Sequence, residues 1–257
     1  DESLDPEDPS NWGTKVEMKN VNSFGGVREC IKYEIKRQSE LLLKGEKIVQ
    51  ETRRIAEDGK TYSICNLYLD TESDELIRKS LEKPFFKEKI RLRSYGKVSL
   101  TDNVFLESKK KFDGVVNKRR TIFVLQDAYE YFENGNIIEN PKMNKQVMKE
   151  INYIMNMYNL KARVFISYDR LAFFEKNNSD FRLTLDTNIQ TRRDNLRLDY
   201  DIYGNQLLQP GQWIMEAKAF KAFPLWFVHF LSERKIFQTS FSKYGTEYRN
   251  YINTLEK

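Results

Sequence analysis

Four stretches of the chain place charged or polar side chains, most of them cationic, at every second position, which is the repeat of a β-strand. Side chains two residues apart on a strand share one face of the sheet. The four faces comprise Lys87, Lys89, Arg91 and Arg93; Glu107, Lys109 and Lys111; Lys118 and Arg120; and Tyr168 and Arg170. Ile90, Leu92, Val104 and Leu106 occupy the opposite, apolar faces. Cationic faces that recur in this way predict a barrel whose basic interior holds a polyanion, such as a chain of phosphates.

The chemistry of these side chains fits phosphate. Arginine offers a planar fork and lysine a compact ammonium, and both suit phosphate oxygens. Cations that face one another inside a barrel repel, so a protein selected only for stability would place aliphatic side chains there. The alternative is that each cation is a solvated surface charge, since lysines also protect sheet edges against aggregation. Recurrence over several strands favours the polyanion site, and so do three further pairs: Tyr168–Arg170, Glu216–Lys218 and Ser242–Lys243.

Two acidic residues within this set are candidate metal ligands. Glu216 shares a strand face with Lys218, and Glu107 shares one with Lys109. A carboxylate among phosphates recruits Mg²⁺ or Mn²⁺, which prefer oxygen ligands. Phosphoryl transfer depends on positioning and charge neutralisation more than on covalent chemistry by the protein. Arginine, lysine and one divalent cation would therefore suffice for catalysis.

Composition limits the possible functions. The 257 residues are 40% hydrophobic, which supplies the core of a folded protein. Lysine and arginine (43) exceed aspartate and glutamate (38) by only five, so the net charge does not predict a nucleic-acid partner and we expect none. His229 is the only histidine, which excludes His-based triads and His-rich zinc sites. It stands in the apolar run 226–231 and is predicted to be a packing residue.

Cysteine usage and hydropathy indicate a cytoplasmic protein. Cys30 and Cys65 lack the spacing of metal ligands, so free thiols are expected. No apolar run reaches 18 residues, and no membrane span is predicted. The acidic start at residues 1–9 does not resemble a signal peptide.

The elements that must position these residues alternate irregularly along the chain. Periodicity predicts strands near residues 63–69, three strands within 86–124, and strands near 162–173, 181–185 and 212–219. Helices are predicted near 72–82, 126–132, 143–158, 224–234 and 246–255. Many strands without strict βαβ alternation predict an α+β fold with a closed antiparallel β-barrel of about eight strands, flanked by helices.

Residues 59–251 resemble the VTC domain of polyphosphate polymerases, within the triphosphate tunnel (CYTH-like) superfamily. The resemblance rests on the order and spacing of several motifs, each of which is weak alone. They are residues 64–70 (ICNLYLD), 87–96 (KEKIRLRSYG), 107–111 (ESKKK), 116–119 (VNKR), 167–170 (SYDR), 182–186 (RLTLD), 215–218 (MEAK) and 241–244 (FSKY).

This resemblance implies a metal-dependent transfer of the γ-phosphate of ATP to a growing inorganic polyphosphate chain, with Mn²⁺ or Mg²⁺ as cofactor. Together with the strand faces, it assigns the catalytic neutralisation of phosphate to Arg91, Arg93, Lys109, Lys118 and Arg170. It assigns phosphate binding to Lys89, Tyr168, Lys218, Ser242 and Lys243, and Glu216 matches the metal-binding glutamate of the family. The alternatives are a tripolyphosphatase or nucleoside triphosphatase of the same superfamily, or a non-catalytic domain that binds polyphosphate or an inositol phosphate.

Residues 11–54 resemble a different family, the B-type subunit of the tRNA-dependent Asp/Glu amidotransferase. The matching stretches are 13–24 (GTKVEMKNVNSF), 33–38 (YEIKRQ) and 49–53 (VQETR). We therefore expect an N-terminal segment over 1–58, as in a natural fusion or a chimera, and a VTC-like tunnel domain over 59–257. The first tunnel strand is either residues 32–36 or residues 16–19 followed by a helix over 24–45. Helical spacing of Val27, Ile31, Ile35 and Leu42 favours the second option.

Overall fold

The structure is a computed structural model that describes residues 29–36, 61–175, 178–219, 222–233 and 235–256, with the backbone alone at 29–36, 174, 175 and 178–180. The described strands form one antiparallel sheet. They are β1 (Glu29–Lys36), β2 (Tyr62–Asp70), β3 (Phe86–Tyr95), β4 (Asn103–Phe112), β5 (Val115–Val124), β6 (Lys161–Glu175), β7 (Asn178–Arg192), β8 (Asn205–Gln206), β9 (Gln212–Ala219) and β10 (Gln238–Thr239). Eight of them are long, which agrees with the predicted strand number.

Strand order follows β10-β1-β9-β7-β6-β2-β3-β4-β5, and β8 pairs with β7. The predicted closure into a barrel is wrong: within the described residues no ladder joins β5 to the other end of the sheet. Among the described residues the two terminal strands are each paired on one side only, β5 with β4 and β10 with β1, where Lys32 lies opposite Thr239 and Tyr33 opposite Gln238. The sheet nevertheless curls, so that Lys118 on β5 and Glu216 and Lys218 on β9 line the same cavity.

Alternation along the strands separates a helix-covered face from a concave face. Ile90, Leu92, Val104 and Leu106 are fully buried in one core with helical residues of the segments 125–131 and 147–155. Their cationic neighbours therefore point to the other side of the sheet. Asp113 (φ 42°) and Gly114 (φ 80°) both adopt left-handed backbone conformations. This is the requirement of the tight turn that joins β4 to β5 and fixes their register.

Five helices complete the described residues: α1 (Glu75–Leu81), α2 (Leu125–Asn134), α3 (Lys145–Tyr158), α4 (Leu225–Glu233) and α5 (Lys243–Leu255). The Asn144 side chain caps α3 by accepting a hydrogen bond from the Val147 N–H, which satisfies an otherwise unpaired donor. Ser242 caps α5 in the same way through the Gly245 N–H. Helix α5 therefore begins at Lys243, three residues before the predicted start. None of the described helices is long and apolar enough to cross a membrane.

Residues 29–36 form a strand, so the helix predicted over 24–45 is wrong in this part. Strand β1 pairs along its whole length with β9, where Lys32 lies opposite Glu216. The apolar residues of this segment fit both the two-residue repeat of a strand and the spacing of a helix. Pairing with β9 provides hydrogen-bond partners for the backbone N–H and C=O groups in the extended form. The other predictions for residues 1–28 and 37–60 lie outside the described residues. The division of the chain at residue 58 stays a prediction.

Two smaller predictions concern single side chains. His229 is exposed on α4, so the prediction of a packing histidine is wrong. The apolar run around it is amphipathic, with Phe227, Phe230 and Leu231 buried. Cys65 is a buried free thiol, and burial raises its pKa to about 11, which makes it a poor nucleophile.

Candidate functional site

The concave face of the sheet encloses a cavity of about 220 Å³. All twelve site residues predicted from the sequence line it: Lys89, Arg91, Arg93, Glu107, Lys109, Lys118, Tyr168, Arg170, Glu216, Lys218, Ser242 and Lys243. Arg119 and Arg120 also contribute, so ten lysine or arginine residues and two glutamates of the described chain line the wall. Lys87 and Lys111, which continue two of the strand faces, are not among the lining residues.

Arg93 is held in place by neighbours on two adjoining strands. It is 5% exposed. Its Nε donates to Asn66 Oδ1 on β2 at 2.9 Å, and its Nη2 donates to Tyr168 Oη on β6 at 3.3 Å. Asn66 in turn donates to the Ile166 carbonyl. A guanidinium fixed in this way needs little rearrangement to bind an anion.

Arg91 and Glu107 form a partly buried ion pair across β3 and β4. Arg91 Nε donates to Glu107 Oε2 at 2.7 Å, and Arg91 Nη1 donates to Tyr68 Oη at 3.2 Å. Burial raises the pKa of Glu107, but Arg91, Arg93 and Lys118 outweigh it and hold the pKa at about 2. Glu107 is therefore ionised at neutral pH.

The phenol of Tyr68 is unusually acidic. Burial raises the pKa of Tyr68, but the positive charges of Arg91, Arg93 and Lys89 outweigh that effect and lower the pKa to about 8. Its ring also packs at 5.0 Å from that of Tyr244 on α5. Tyr68 reports the strength of the positive potential in this cavity, because an isolated phenol ionises near pH 10.

The carboxylate of Asp186 on β7 pairs with cationic side chains from two different elements, β6 and α5. It accepts hydrogen bonds from Arg170 Nε and Nη2 at 2.6 and 2.8 Å, and from Lys243 Nζ at 2.5 Å. Burial raises the pKa of Asp186, but Arg170 and Lys243 outweigh it and hold the pKa at about 2. The ammonium of Lys243 also lies 4.1 Å from the centre of the Tyr168 ring.

Lysines crowd together where the two ends of the sheet face each other. Burial lowers the pKa of Lys118 well below its ordinary value, and Lys218 and Lys109 lower it further, whereas Glu216 opposes the shift. Lys89 Nζ donates to Ser242 Oγ at 3.3 Å, which links β3 to the start of α5. A bound anion would relieve this repulsion, so the crowding of cations favours phosphate binding.

The two predicted metal ligands have different surroundings. Glu216 forms an ion pair with Lys218 at 2.9 Å, whereas Glu107 forms ion pairs with the guanidiniums of Arg91 and Arg93. No group of three His, Cys, Asp or Glu residues comes together in the described part of the chain. Magnesium is commonly bound by one or two carboxylates plus water and substrate phosphates. The donor set thus fits a cation that binds together with phosphate, with Glu216 better placed than Glu107.

Sequence reasoning left several polar residues of the site unassigned; besides Arg119 and Arg120 they include Asn66, Tyr68 and Asp186. Asn66 and Tyr68 alternate with the apolar residues Cys65, Leu67 and Leu69, so the period of β2 could have placed them on the concave face. Asp186 follows the strand residues Leu183 and Leu185, and a charge at the end of such a run is a weak signal. Its partner Lys243 lies 57 residues away, which no local pattern indicates.

Comparison with known families agrees with this geometry. The profile of the VTC domain family matches residues 27–252, which starts before the residue 59 expected from the motifs and includes β1.

The expected similarity to the amidotransferase is also confirmed. The B-type subunit of the Aspartyl/glutamyl-tRNA(Asn/Gln) amidotransferase is 36% identical over 130 residues in Staphylococcus saprophyticus, covering 43% of this chain and 27% of that protein. Its counterpart in Mycoplasmopsis agalactiae is 30% identical over 177 residues, covering 62% and 34%. The Persephonella marina counterpart is 52% identical over 63 residues, covering 24% and 13%. The chain therefore spans at most about a third of the length of these relatives.

Solved structures with a similar shape include two provisionally assigned adenylate cyclases. The protein from Bacillus halodurans has a TM-score of 0.48 and 14% identity, and the match covers 84% of this chain and 95% of that one. The protein from Vibrio parahaemolyticus has a TM-score of 0.43 and 14% identity, with coverages of 87% and 98%.

Proposed function

The chain belongs to the VTC domain family, and from that premise we propose that it is a polyphosphate polymerase. It would transfer the γ-phosphate of ATP to the end of a growing inorganic polyphosphate chain inside the cavity. The observation that carries this proposal is the excess of charge on the cavity wall, where ten lysine or arginine residues accompany two glutamates among the described residues. Such an excess is costly without a ligand and is offset by a ligand with many anionic oxygens.

The cationic side chains would have different roles according to their positions in the cavity. Arg91, Arg93, Lys109, Lys118 and Arg170 would neutralise the transferring phosphoryl group, and Lys89, Lys218 and Lys243 would bind the rest of the phosphate chain. Tyr168 and Ser242 would donate hydrogen bonds to phosphate oxygens. Guanidiniums already fixed by Asn66, Glu107 and Asp186 supply the preorganised charge that phosphoryl transfer requires.

The chemical step needs no general base when the acceptor is polyphosphate. An anionic oxygen of the terminal phosphate attacks the γ-phosphorus of ATP in line, and the bond from that phosphorus to the bridging oxygen of ADP breaks. The bonding electrons leave with ADP, so the products are ADP and a chain longer by one phosphate. No histidine is among the described residues that line the cavity, which is compatible with this step.

Glu216 would hold the divalent cation, Mn²⁺ or Mg²⁺, together with phosphate oxygens of the substrate. When bound, the metal supplies further charge neutralisation of the phosphates. Glu107, which is engaged by Arg91 and Arg93, would keep these guanidiniums oriented, and its predicted role as a second ligand is the weaker assignment.

A triphosphatase is the second candidate, and Tyr68 favours it. Hydrolysis of tripolyphosphate or a nucleoside triphosphate requires activation of water, and the phenolate form of Tyr68, whose pKa is about 8, could accept a proton from the attacking water. The products would be free phosphate and a shortened substrate. A polyphosphate- or inositol-phosphate-binding domain without turnover is the third outcome that the experiment separates.

The test incubates the full chain with ATP and MnCl₂ and measures ADP, free phosphate and polymer length on a gel. Polymer formation with equimolar ADP is expected. Lys109→Ala, an exposed residue of the cavity wall, should reduce the rate by about tenfold or more. Lys87→Ala is the matched control, since Lys87 lies on a cationic strand face but outside the cavity lining.

Free phosphate without polymer would replace this proposal with the triphosphatase. Tight binding of tripolyphosphate without turnover would replace it with the binding domain. Equal polymer yields from Lys109→Ala, Arg93→Ala and the unmodified chain would show that the cavity is not the site.

A further inference from the structure

One sector of the cavity wall is aromatic rather than charged. Tyr62, Ile64, Tyr95 and Tyr168 all line the cavity. Ile64 on β2 is the register partner of Tyr95 on β3 and of Tyr168 on β6, and Tyr62 lies two residues before it on the same face. The four side chains thus form one continuous patch, adjacent to the cationic part of the same cavity.

The rings of this patch have fixed positions. The centroids of Tyr62 and Tyr95 are 6.4 Å apart with an interplanar angle of 41°. Phe105 meets Tyr95 edge-to-face at 5.8 Å, and the guanidinium of Arg120 lies 4.8 Å from the centre of the Phe105 ring. Ile64 is 1% exposed, whereas Tyr62 and Tyr95 remain only partly buried, so their rings retain surface that a ligand can cover.

Inorganic phosphate can bind the hydroxyl group of a tyrosine but gains nothing from the face of its ring. A phosphate chain is anionic throughout and has neither an apolar part nor a π-face. A nucleoside triphosphate has both parts, and bases stack on aromatic side chains with a substantial gain in affinity. We propose that Tyr62 and Tyr95 bind the base of a nucleoside triphosphate, which makes this sector a nucleobase subsite. This inference rests on the proposed function, because it names the donor of that reaction.

The positions of the neighbouring cations give the orientation of the nucleotide. Arg170 is the register partner of Tyr62, and Arg93 lies two residues before Tyr95 on β3. From Arg93 the strand continues to Arg91 and Lys89, a distance of about 13 Å at roughly 3.3 Å per residue. A triphosphate whose base lies on Tyr95 would therefore extend along β3 toward Lys89. The acceptor chain would approach from the Lys89 and Lys109 end.

Stacking alone discriminates weakly between bases, because each base has a π-face. Purines have the larger rings, so ATP and GTP should bind more tightly than CTP and UTP. All four should bind more tightly than expected from their phosphates alone.

The test compares the Kd of ATP with that of inorganic tripolyphosphate by calorimetry, without divalent metal so that no turnover occurs. Tyr95→Ala should weaken ATP binding by about 5- to 20-fold and change tripolyphosphate binding by less than about twofold. Tyr95→Phe should keep ATP affinity, because the ring remains. Tyr153→Ala, at an exposed tyrosine of α3, is the matched control, and Tyr62→Leu provides a second test should Tyr95→Ala unfold.

An equal loss for ATP and tripolyphosphate, or no loss for either, would overturn the subsite. If the unmodified chain binds neither compound, the proposed function fails. If it binds tripolyphosphate but gains nothing from the nucleoside, only the subsite fails.

Discussion

Asp186 accepts both ends of the Arg170 guanidinium fork, at 2.6 and 2.8 Å, from a position that is 1% exposed. The same carboxylate accepts Lys243, so one negative charge orients two positive ones. Both cations line the cavity, whereas Asp186 is not among its described lining residues. Asp186 is thus a positioning residue, and it leaves a net positive charge directed at the ligand.

Asp186→Asn should separate binding from turnover. The loss of one negative charge makes the cavity more positive, so KM for ATP should stay equal or fall, whereas kcat should fall about tenfold or more because Arg170 loses its orientation. Steady-state kinetics measure both. Asp169→Asn, one residue before Arg170, is the control and should change neither. Arg170→Lys, which keeps the charge but loses the fork, should reproduce the loss of kcat, and a rise in KM with constant kcat would argue against positioning.

The stability of the protein should depend on Glu107 ionisation. Its pKa is about 2 in the folded state against an ordinary value of 4.5, and a lowered pKa stabilises the fold above the unfolded value. The contribution, on the order of 2–3 kcal/mol at pH 7, should be lost as the pH falls from about 5 toward 2. Urea unfolding of the unmodified chain and Glu107→Gln should show a difference in unfolding free energy that shrinks over this range. A difference that is constant with pH would refute the ionised pair.

Tyr68 should make polyphosphate binding sensitive to alkaline pH. Above its pKa of about 8 the phenolate adds a negative charge to the cavity, which opposes an anionic ligand. Between pH 7 and 9 the Kd of tripolyphosphate should rise more in the unmodified chain than in Tyr68→Phe. Lys118, whose pKa is also lowered, would lose its charge in both proteins, so the difference between them isolates Tyr68. Identical profiles would exclude ionisation of Tyr68.

The charge of Lys118 should favour ligand binding but lower the stability of the ligand-free protein. Its ammonium is crowded by Lys109 and Lys218, so Lys118→Met should raise the unfolding free energy at low salt by about 1 kcal/mol. The same variant should lose much of the increase in Tm that tripolyphosphate gives to the unmodified chain. Lys142→Met, at an exposed position, should change neither quantity. If Lys118→Met has a lower Tm than the unmodified chain without ligand, repulsion among the lysines does not destabilise the fold.

Glu216 should couple metal binding to phosphate binding. With the substitution Glu216→Gln, Mn²⁺ should no longer tighten tripolyphosphate binding, while the metal-free affinity should stay equal or increase because a negative charge is removed. Calorimetry with and without Mn²⁺ gives both values. The equivalent change Glu107→Gln should keep the metal effect. If Mn²⁺ tightens tripolyphosphate binding to Glu216→Gln as much as to the unmodified chain, Glu216 is not the metal ligand.

The sequence by itself determined which residues share a face. Alternation is a local property of extended backbone, so Lys89, Arg91 and Arg93 could be placed together, opposite Ile90 and Leu92, without knowledge of the fold. Turn residues such as Asp113 and Gly114 likewise fixed the β4–β5 hairpin.

Tertiary structure decided everything that depends on distant neighbours. Residues 29–36 carry both helical and strand periodicity, and only pairing with β9 selects the strand. The described sheet ends in β5 and β10, which no described ladder joins, and Lys118 and Lys218 line one cavity because the sheet curls. Asp186 acquires its role only when α5 brings Lys243 to it. Contacts between residues far apart in sequence depend on packing of the whole chain, and no short pattern encodes them.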